Sequence, residues 1–277
     1  MARRDADVFG GGGVTVIRYV TLIRTFFAIN AASELQYRAH FVLAVVRSLI
    51  NLLTNGANLA LIFSNTSTLA GWSAPELVAV TGVWFVMGGL MRLVIRPSLA
   101  KLMEDVRLGT LDFMLVKPED SQVLASIRVI EVWSLTDVVL GFLLIGGALW
   151  RLSAHVGLLE ALTFGVVLLA GGAMLYSFCL VLTTSTFWIV RADNILVIFG
   201  EMFAAGRYPV TIYPGWLRII LTLIVPVAFA TTVPVQAVTG QLNPAGAAGT
   251  VLLAAFLCFV ASQFWRFGLR HYTGASA

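Results

Sequence analysis

The amino-acid sequence specifies an all-α, polytopic membrane protein with six transmembrane helices, an N-terminal interfacial helix and a helix in a cytoplasmic loop. Three observations carry this reading. The chain is 59% hydrophobic and only 12% charged, against roughly 25% charged residues in soluble domains. Apolar runs long enough to cross a bilayer alternate with short polar intervals, and the length leaves room for about six of them. The basic residues gather on one side of that alternation. The expected division is a disordered stretch over 1–13, an interfacial helix over 14–38, a six-helix transmembrane domain over 39–268 and a tail over 269–277.

Taken in order, Met1 to Asp7 is charged, and Gly10 to Gly13 is a flexible glycine run. No Lys-Ser/Thr follows the glycines, so they do not form a phosphate loop. Over 14–37, Val16, Tyr19, Val20, Ile23, Phe26 and Phe27 can share one helical face bordered by Arg18 and Arg24. That pattern suits a helix lying in the membrane interface. Arg18, Arg24 and Asn30 speak against its being a seventh span.

The first span is expected over about 41–63. Arg47, Asn51, Asn55 and Asn58 recur in it at steps of four, four and three, which places them on one stripe. Such a stripe faces protein or water, not lipid. It can line a transport path, or it can supply hydrogen bonds between helices.

The second span is expected over about 76–95, with Trp84 and a Gly88-Gly89 pair for close helix packing. A loop over 96–128 follows. It mixes Lys101, Arg107, Lys117 and Arg128 with Glu104, Asp105, Asp112, Glu119 and Asp120. Leu99, Leu102, Met103 and Val106 make one apolar face of a helix that Gly109 ends, before a turn at Lys117-Pro118. The face can meet a soluble partner, or the segment can be a solvated connector.

The third span, over about 129–150, carries Glu131 and Asp137. Counting 1.5 Å per residue, Asp137 and Arg47 lie about equally deep, which predicts an intramembrane Arg47–Asp137 pair, since such charges find partners. The fourth span runs over about 158–190. The twelve or so residues of 194–205 are too short to cross and are expected at the inner interface. The aromatic, proline-rich segment from Gly206 to Trp216 belongs at headgroup level. The fifth span, over about 217–232, contains Pro226. The sixth runs over about 248–267.

With the N-terminus inside, only Arg47, within a span, and Arg151, outside, depart from a cytoplasmic placement of Lys and Arg. This is the positive-inside asymmetry of an inner-membrane protein with both termini cytoplasmic. The pI of about 9.4 therefore reads as membrane orientation and not as nucleic-acid binding. Cys179 and Cys258 lie in apolar runs as small buried residues, and a lone loop His155 is solvated. No nucleotide-binding motif, no catalytic triad and no metal-ligand spacing occurs in the sequence. Two acids near one end of one span leave open a gradient-driven transporter using Glu131 and Asp137. A non-transporting membrane scaffold or sensor is the other alternative.

The order of short motifs carries a resemblance. Glu34-Leu35-Gln36-Tyr37-Arg38-Ala39 precedes the spans. Arg107-x-Gly109-Thr110-Leu111-Asp112 leads to Lys117-Pro118. Gly206-Arg207-Tyr208-Pro209, Tyr213-Pro214-Gly215-Trp216 and Pro226-x-Ala228-Phe229-x-Thr231-Thr232-x-Pro234 follow. Together they resemble the ABC-2-type permease subunits of bacterial ATP-driven exporters, over about 19–272. The resemblance implies a type V exporter-like fold and a second permease, identical or homologous. It also implies two copies of a separate cytoplasmic ABC ATPase, which would bind ATP-Mg, so that this chain needs no cofactor and is no enzyme. It makes the loop helix a coupling helix with Leu102, Glu104, Asp105 and Arg107 as ATPase contacts. The short loop over 239–245 fits an exporter of small amphipathic compounds. Between two permeases, Asn51, Asn55 and Asn58 would then line the translocation path.

Overall fold

The structure is a computed structural model that describes residues 21, 24–32, 38–152, 156–189 and 194–272. The expected disordered stretch over 1–13, most of the interfacial helix, His155 and the last five residues lie outside the described residues. Residues 24–32 are helical. Helix α1 is Arg38–Phe63 and α2 is Ala74–Leu90. A π turn, Met91–Ile95, joins α2 without interruption to α3, Arg96–Leu108. Two short helices follow, α4 (Asp112–Leu115) and α5 (Ser121–Ile127). Then come α6 (Leu135–Arg151), α7 (Leu158–Thr184), α8 (Ile195–Ala204), α9 (Gly215–Ile219), α10 (Val227–Val238) and α11 (Pro244–His271). No strand occurs among the described residues, and five helical stretches are long and apolar enough to cross a membrane.

The core forms where small residues let backbones approach. Helices α2 and α6 share the most extensive contact. A Cβ on Gly82 would stand 2.8 Å from the Gly141 carbonyl oxygen, and one on Gly141 would stand 2.6 Å from that of Gly82. Between membrane helices, where lipid is as apolar as Leu, such close packing supplies much of the attraction. Of the expected Gly88-Gly89 pair, Gly89 meets Val138 and Asp137 of α6, whereas Gly88 lies beside Arg92 and Phe203. Helix α7 packs on both α10 and α11, with Gly171 against the Phe229 carbonyl. Helix α1 is held loosely: Leu43, Leu53 and Leu61 are exposed apolar residues, as are Leu252, Phe256 and Phe259 of α11. These outer faces suit lipid or another subunit.

The second span does not stop at residue 95. The chain is helical without a break from Ala74 to Leu108, so the expected loop helix is the continuation of a span. Pro97 lies inside this continuous helix, where it has no N–H to offer the Leu93 carbonyl; the Glu131 N–H donates to that carbonyl instead. Gly109 ends α3 in a left-handed conformation, φ 69°, which only glycine adopts without strain.

The region from 194 to 238 departs most from expectation. Gly200 abuts the Arg96 side chain at one end of α2. Further along, Trp84 donates its indole N–H to the Phe203 carbonyl and carries Arg207 over its ring. At the opposite end of α2, the Trp72 indole donates to Thr211 Oγ1. Residues 195–212 therefore climb the full length of α2 and do not lie at an interface. They cross in pieces: α8, then the 3-10 turns Ala205–Arg207 and Val210–Ile212.

The expected fifth span, 217–232, is instead a hairpin bent by 92° between Gly215–Ile224 and Val227–Val238. Its tip lies deep, with Val225 1% and Val227 0% exposed and Val227 against Gly206. Both its ends return to the Trp72 end, where Arg218 donates to the Thr211 carbonyl and Gln241 to Glu76. The cause is local. Val225 adopts an extended conformation and Pro226 has no N–H to donate. A hairpin that enters and leaves by one face preserves the direction of α11, so Arg266 and Arg270 remain at the Arg96 end, where Trp265 meets Ser121. Arg207 and Arg218, expected on the same side as the other basic residues, do not lie at the Arg96 end: Arg207 stands over Trp84 and Arg218 meets Thr211.

Candidate functional site

The charged residues of the Arg96 end make two ion-paired clusters and line two adjoining cavities. In the first cluster Asp137, 1% exposed, is held by two helices at once. Arg92 Nη2 lies 2.6 Å from its Oδ2, and Ser48 Oγ donates to its Oδ1 at 2.5 Å. The expected partner was Arg47, and this is corrected. On a helix of 3.6 residues per turn, neighbours point about 100° apart. Ser48, 0% exposed, takes the inward direction, and Arg47 is turned outward. Arg92 was missed because its depth depends on the π turn that carries it, a feature often found at functional sites. The frequent pairing of intramembrane charges holds here with a different arginine.

In the second cluster Asp105 is 4% exposed. It accepts from Arg128, lies 3.6 Å from Lys101 Nζ and receives the Thr110 hydroxyl at 3.1 Å. Ser98 Oγ donates to the Val129 carbonyl while accepting the Val129 N–H, and the Glu131 N–H donates to the Leu93 carbonyl. The returning chain is thus stitched back onto α3. Near α4, burial holds the Tyr272 phenol above its usual range, with Asp112 and Asp105 adding to the effect.

These bonds reassign the loop residues. Leu99 and Leu102, 0% and 2% exposed, pack into the protein's own core. The apolar face of α3 is therefore already covered. Leu102 and Asp105 are internal, which corrects their expected role as contacts, while Glu104 and Arg107 are exposed. The apolar residues that do reach solvent are Leu115, at 36%, and above all Leu108, Phe113 and Val116, at 57%, 77% and 85%. They cluster at the tip formed by the end of α3 and by α4. The sequence signal was present in the run Asp112-Phe113-Met114-Leu115-Val116, but only the buried Met114 fits a core.

Beside the first cluster lies an open cavity of about 690 Å³, lined by Arg47, Arg92, Arg96, Arg107, Glu104 and Glu131, with Pro97, Met103 and Leu196 among its apolar residues. A second, of about 480 Å³, shares Arg47 and Glu131 with it. Of the asparagines, Asn55 is buried, and Asn51 and Asn58 are half-buried. The three asparagines therefore turn toward protein while Arg47, on the same stripe, is exposed, and the Asn55 amide donates within its own helix to the Asn51 carbonyl at 2.7 Å. No group of three or more His, Cys, Asp or Glu among the described residues could hold a metal ion.

No curated protein and no solved structure matches the chain. A family model does, over residues 49–276, which takes in Asp137, Arg92 and the whole Asp105 cluster and begins just after Arg47 and Ser48: it is the model of the ABC-2 family transporter proteins, and the chain belongs to that family.

Proposed function

From the family we infer that the chain is a membrane permease subunit of an ABC transporter, a class that works with an ABC ATPase. We propose that it forms half of the translocation pathway of an exporter of small amphipathic compounds. In this reading it pairs with a second permease, identical or homologous, and with two copies of a cytoplasmic ATPase. The Arg96 end faces the cytoplasm in the inner membrane, as the clustering of basic residues there favours. ATP-Mg belongs to the partner, and the chain contributes no catalytic group.

One observation carries the coupling. The helix is unbroken from Ala74 to Leu108, and its far end presents Leu108, Phe113 and Val116 to solvent. A partner that grips this tip moves a lever whose other arm is a membrane span. The Asp105 cluster holds the lever's end and the returning chain as one body. Motion of α2 then shifts α6 and α1 through Asp137. For such a switch the ATPase must bind the two states of the permease with different affinity. Asn51, Asn55 and Asn58 are proposed to line the path between the two permeases. The gradient-driven alternative is disfavoured because the Asp137 carboxylate is already occupied by Arg92 and Ser48.

The test is co-purification in mild detergent. Phe113→Ser with Val116→Ser is expected to abolish recovery of the ATPase while leaving expression and thermal stability unchanged. Undiminished recovery with this double variant would remove the tip from the mechanism. Absence of any ATPase with the unaltered protein, in detergent and in nanodiscs, would reject the exporter itself.

A further inference from the structure

The arginine-lined cavity continues into an apolar groove. Of its arginines, Arg92 is engaged by Asp137. Glu104, one of its two acids, is engaged by Lys101 at 2.8 Å. Among the described residues Arg47, Arg96 and Arg107 form no ion pair within 4.0 Å. Gly200 packs against the Arg96 guanidinium, where a Cβ would stand 3.4 Å from Nη1. Charge of one sign focused in a cleft with low-dielectric walls attracts the opposite sign, and a guanidinium matches phosphate and carboxylate in a two-pronged geometry.

Past Arg47 and Glu131, the second cavity reaches Trp133. Trp133 also borders a third, of about 420 Å³, which runs between α1 and α6 along Val45, Leu49, Val139 and Leu140. This last wall is almost wholly apolar and opens on the outward flank of the two helices, where Val139 is 57% exposed. Excess positive charge at one end and an apolar groove at the other, joined through Arg47 and Trp133, match a molecule of the reverse composition.

We propose that these adjoining cavities bind an anionic amphiphile, its phosphate or carboxylate head on Arg47, Arg96 and Arg107 and its apolar body along the α1–α6 groove. The proposal rests on the permease reading and names the class of compound that its path admits. The same head and tail occur in an anionic membrane lipid and in a soluble amphiphile.

The experiment uses the whole chain in phosphatidylcholine nanodiscs, without ATPase, so that a failure of coupling and a failure of binding are read separately. Dodecyl phosphate is titrated and followed by tryptophan emission, with Trp133→Phe identifying the reporting residue. Saturable binding is expected. It should weaken about tenfold or more in Arg47→Gln/Arg96→Gln and persist in Arg47→Lys/Arg96→Lys, which also controls for folding. Hexyl phosphate should bind about a hundredfold or more weaker. Displacement by phosphatidylglycerol in the nanodisc would identify the occupant as a membrane lipid. Failure of displacement would identify it as a soluble amphiphile, and the proposal stands in both cases. It falls if dodecyltrimethylammonium binds as tightly, if inorganic phosphate alone does, or if the double glutamine variant keeps full affinity.

Discussion

Asp137 and Asp105 are almost equally shielded, and each is met by an arginine, yet they join different things. Asp137 holds one arginine and one serine from two other helices, so its bonds bridge α1, α2 and α6. Asp105 gathers Arg128, Lys101 and Thr110 from one continuous stretch of chain. The first pair therefore fixes how spans sit against one another, and the second fixes the shape of a single body. A buried ion pair gives little net stability over an apolar replacement, but losing one partner strands the other. The comparison thus predicts that damage at Asp137 is global and damage at Asp105 is local.

The largest effect is expected from Asp137→Ala. It leaves the partly shielded Arg92 uncompensated, and breaking such a pair costs roughly 3–5 kcal/mol when fully buried. Arg92 retains 26% side-chain exposure, so the lower end applies. The change is read as a fall in the thermal midpoint in detergent, and Arg92→Met with Asp137→Leu should recover most of it. If Arg47→Ala matched this loss, the assignment of the partner would be wrong; its own cost should stay within about 0.5 kcal/mol. Next comes Gly141→Val, which forces side chain against the Gly82 carbonyl. Overpacking of this kind costs about 1–3 kcal/mol, seen in the same midpoint.

Asp105→Ala is expected to change that midpoint less, because Arg128 keeps 37% exposure and can turn to water. Its signature is faster amide hydrogen exchange confined to residues 98–128, with α6 unaffected. Exchange that spread through α6 would erase the distinction between the two aspartates. The smallest effect on stability belongs to Phe113→Ser with Val116→Ser. Both residues are exposed, so the change should stay within about 0.5 kcal/mol, and only partner recovery should respond.

Much of the fold was legible in the sequence. Hydropathy located α1, α2, α6, α7 and α11, because each is a long apolar run, and Gly109 marked the end of α3. The asparagine stripe was expected to face protein or water because lipid cannot satisfy it, and Asn55 is buried with Asn51 and Asn58 half-buried. What stayed hidden depended on third parties. Leu102 and Asp105 look like a docking face until the core and Arg128 are seen to occupy them. Arg47 and Arg92 are both near the right depth, and only the π turn and the Gly89 contact select Arg92. Residues 194–205 read as too short to cross, since length was counted in one helix and not in the pieces that carry the chain on to 212. The tip at Phe113 was overlooked because an apolar run suggests burial.

The hairpin at Val225-Pro226 bears on how the protein is made. A segment that enters a bilayer on its own hydrophobicity needs about twenty residues, and neither arm of this hairpin, at five plus five and at twelve residues, reaches that length. Its tip breaks the regular helical ladder, and such irregular backbone is tolerated at membrane depth only where protein surrounds it, as it does at the buried Val225 and Val227. The surrounding surface is supplied by Gly171 on α7 and Gly206 after α8, both earlier in the chain. The hairpin is therefore synthesised after its socket and is expected to seat against it, so a change that fills Gly171 or Gly206 would leave it at the membrane surface, open to quality-control proteolysis.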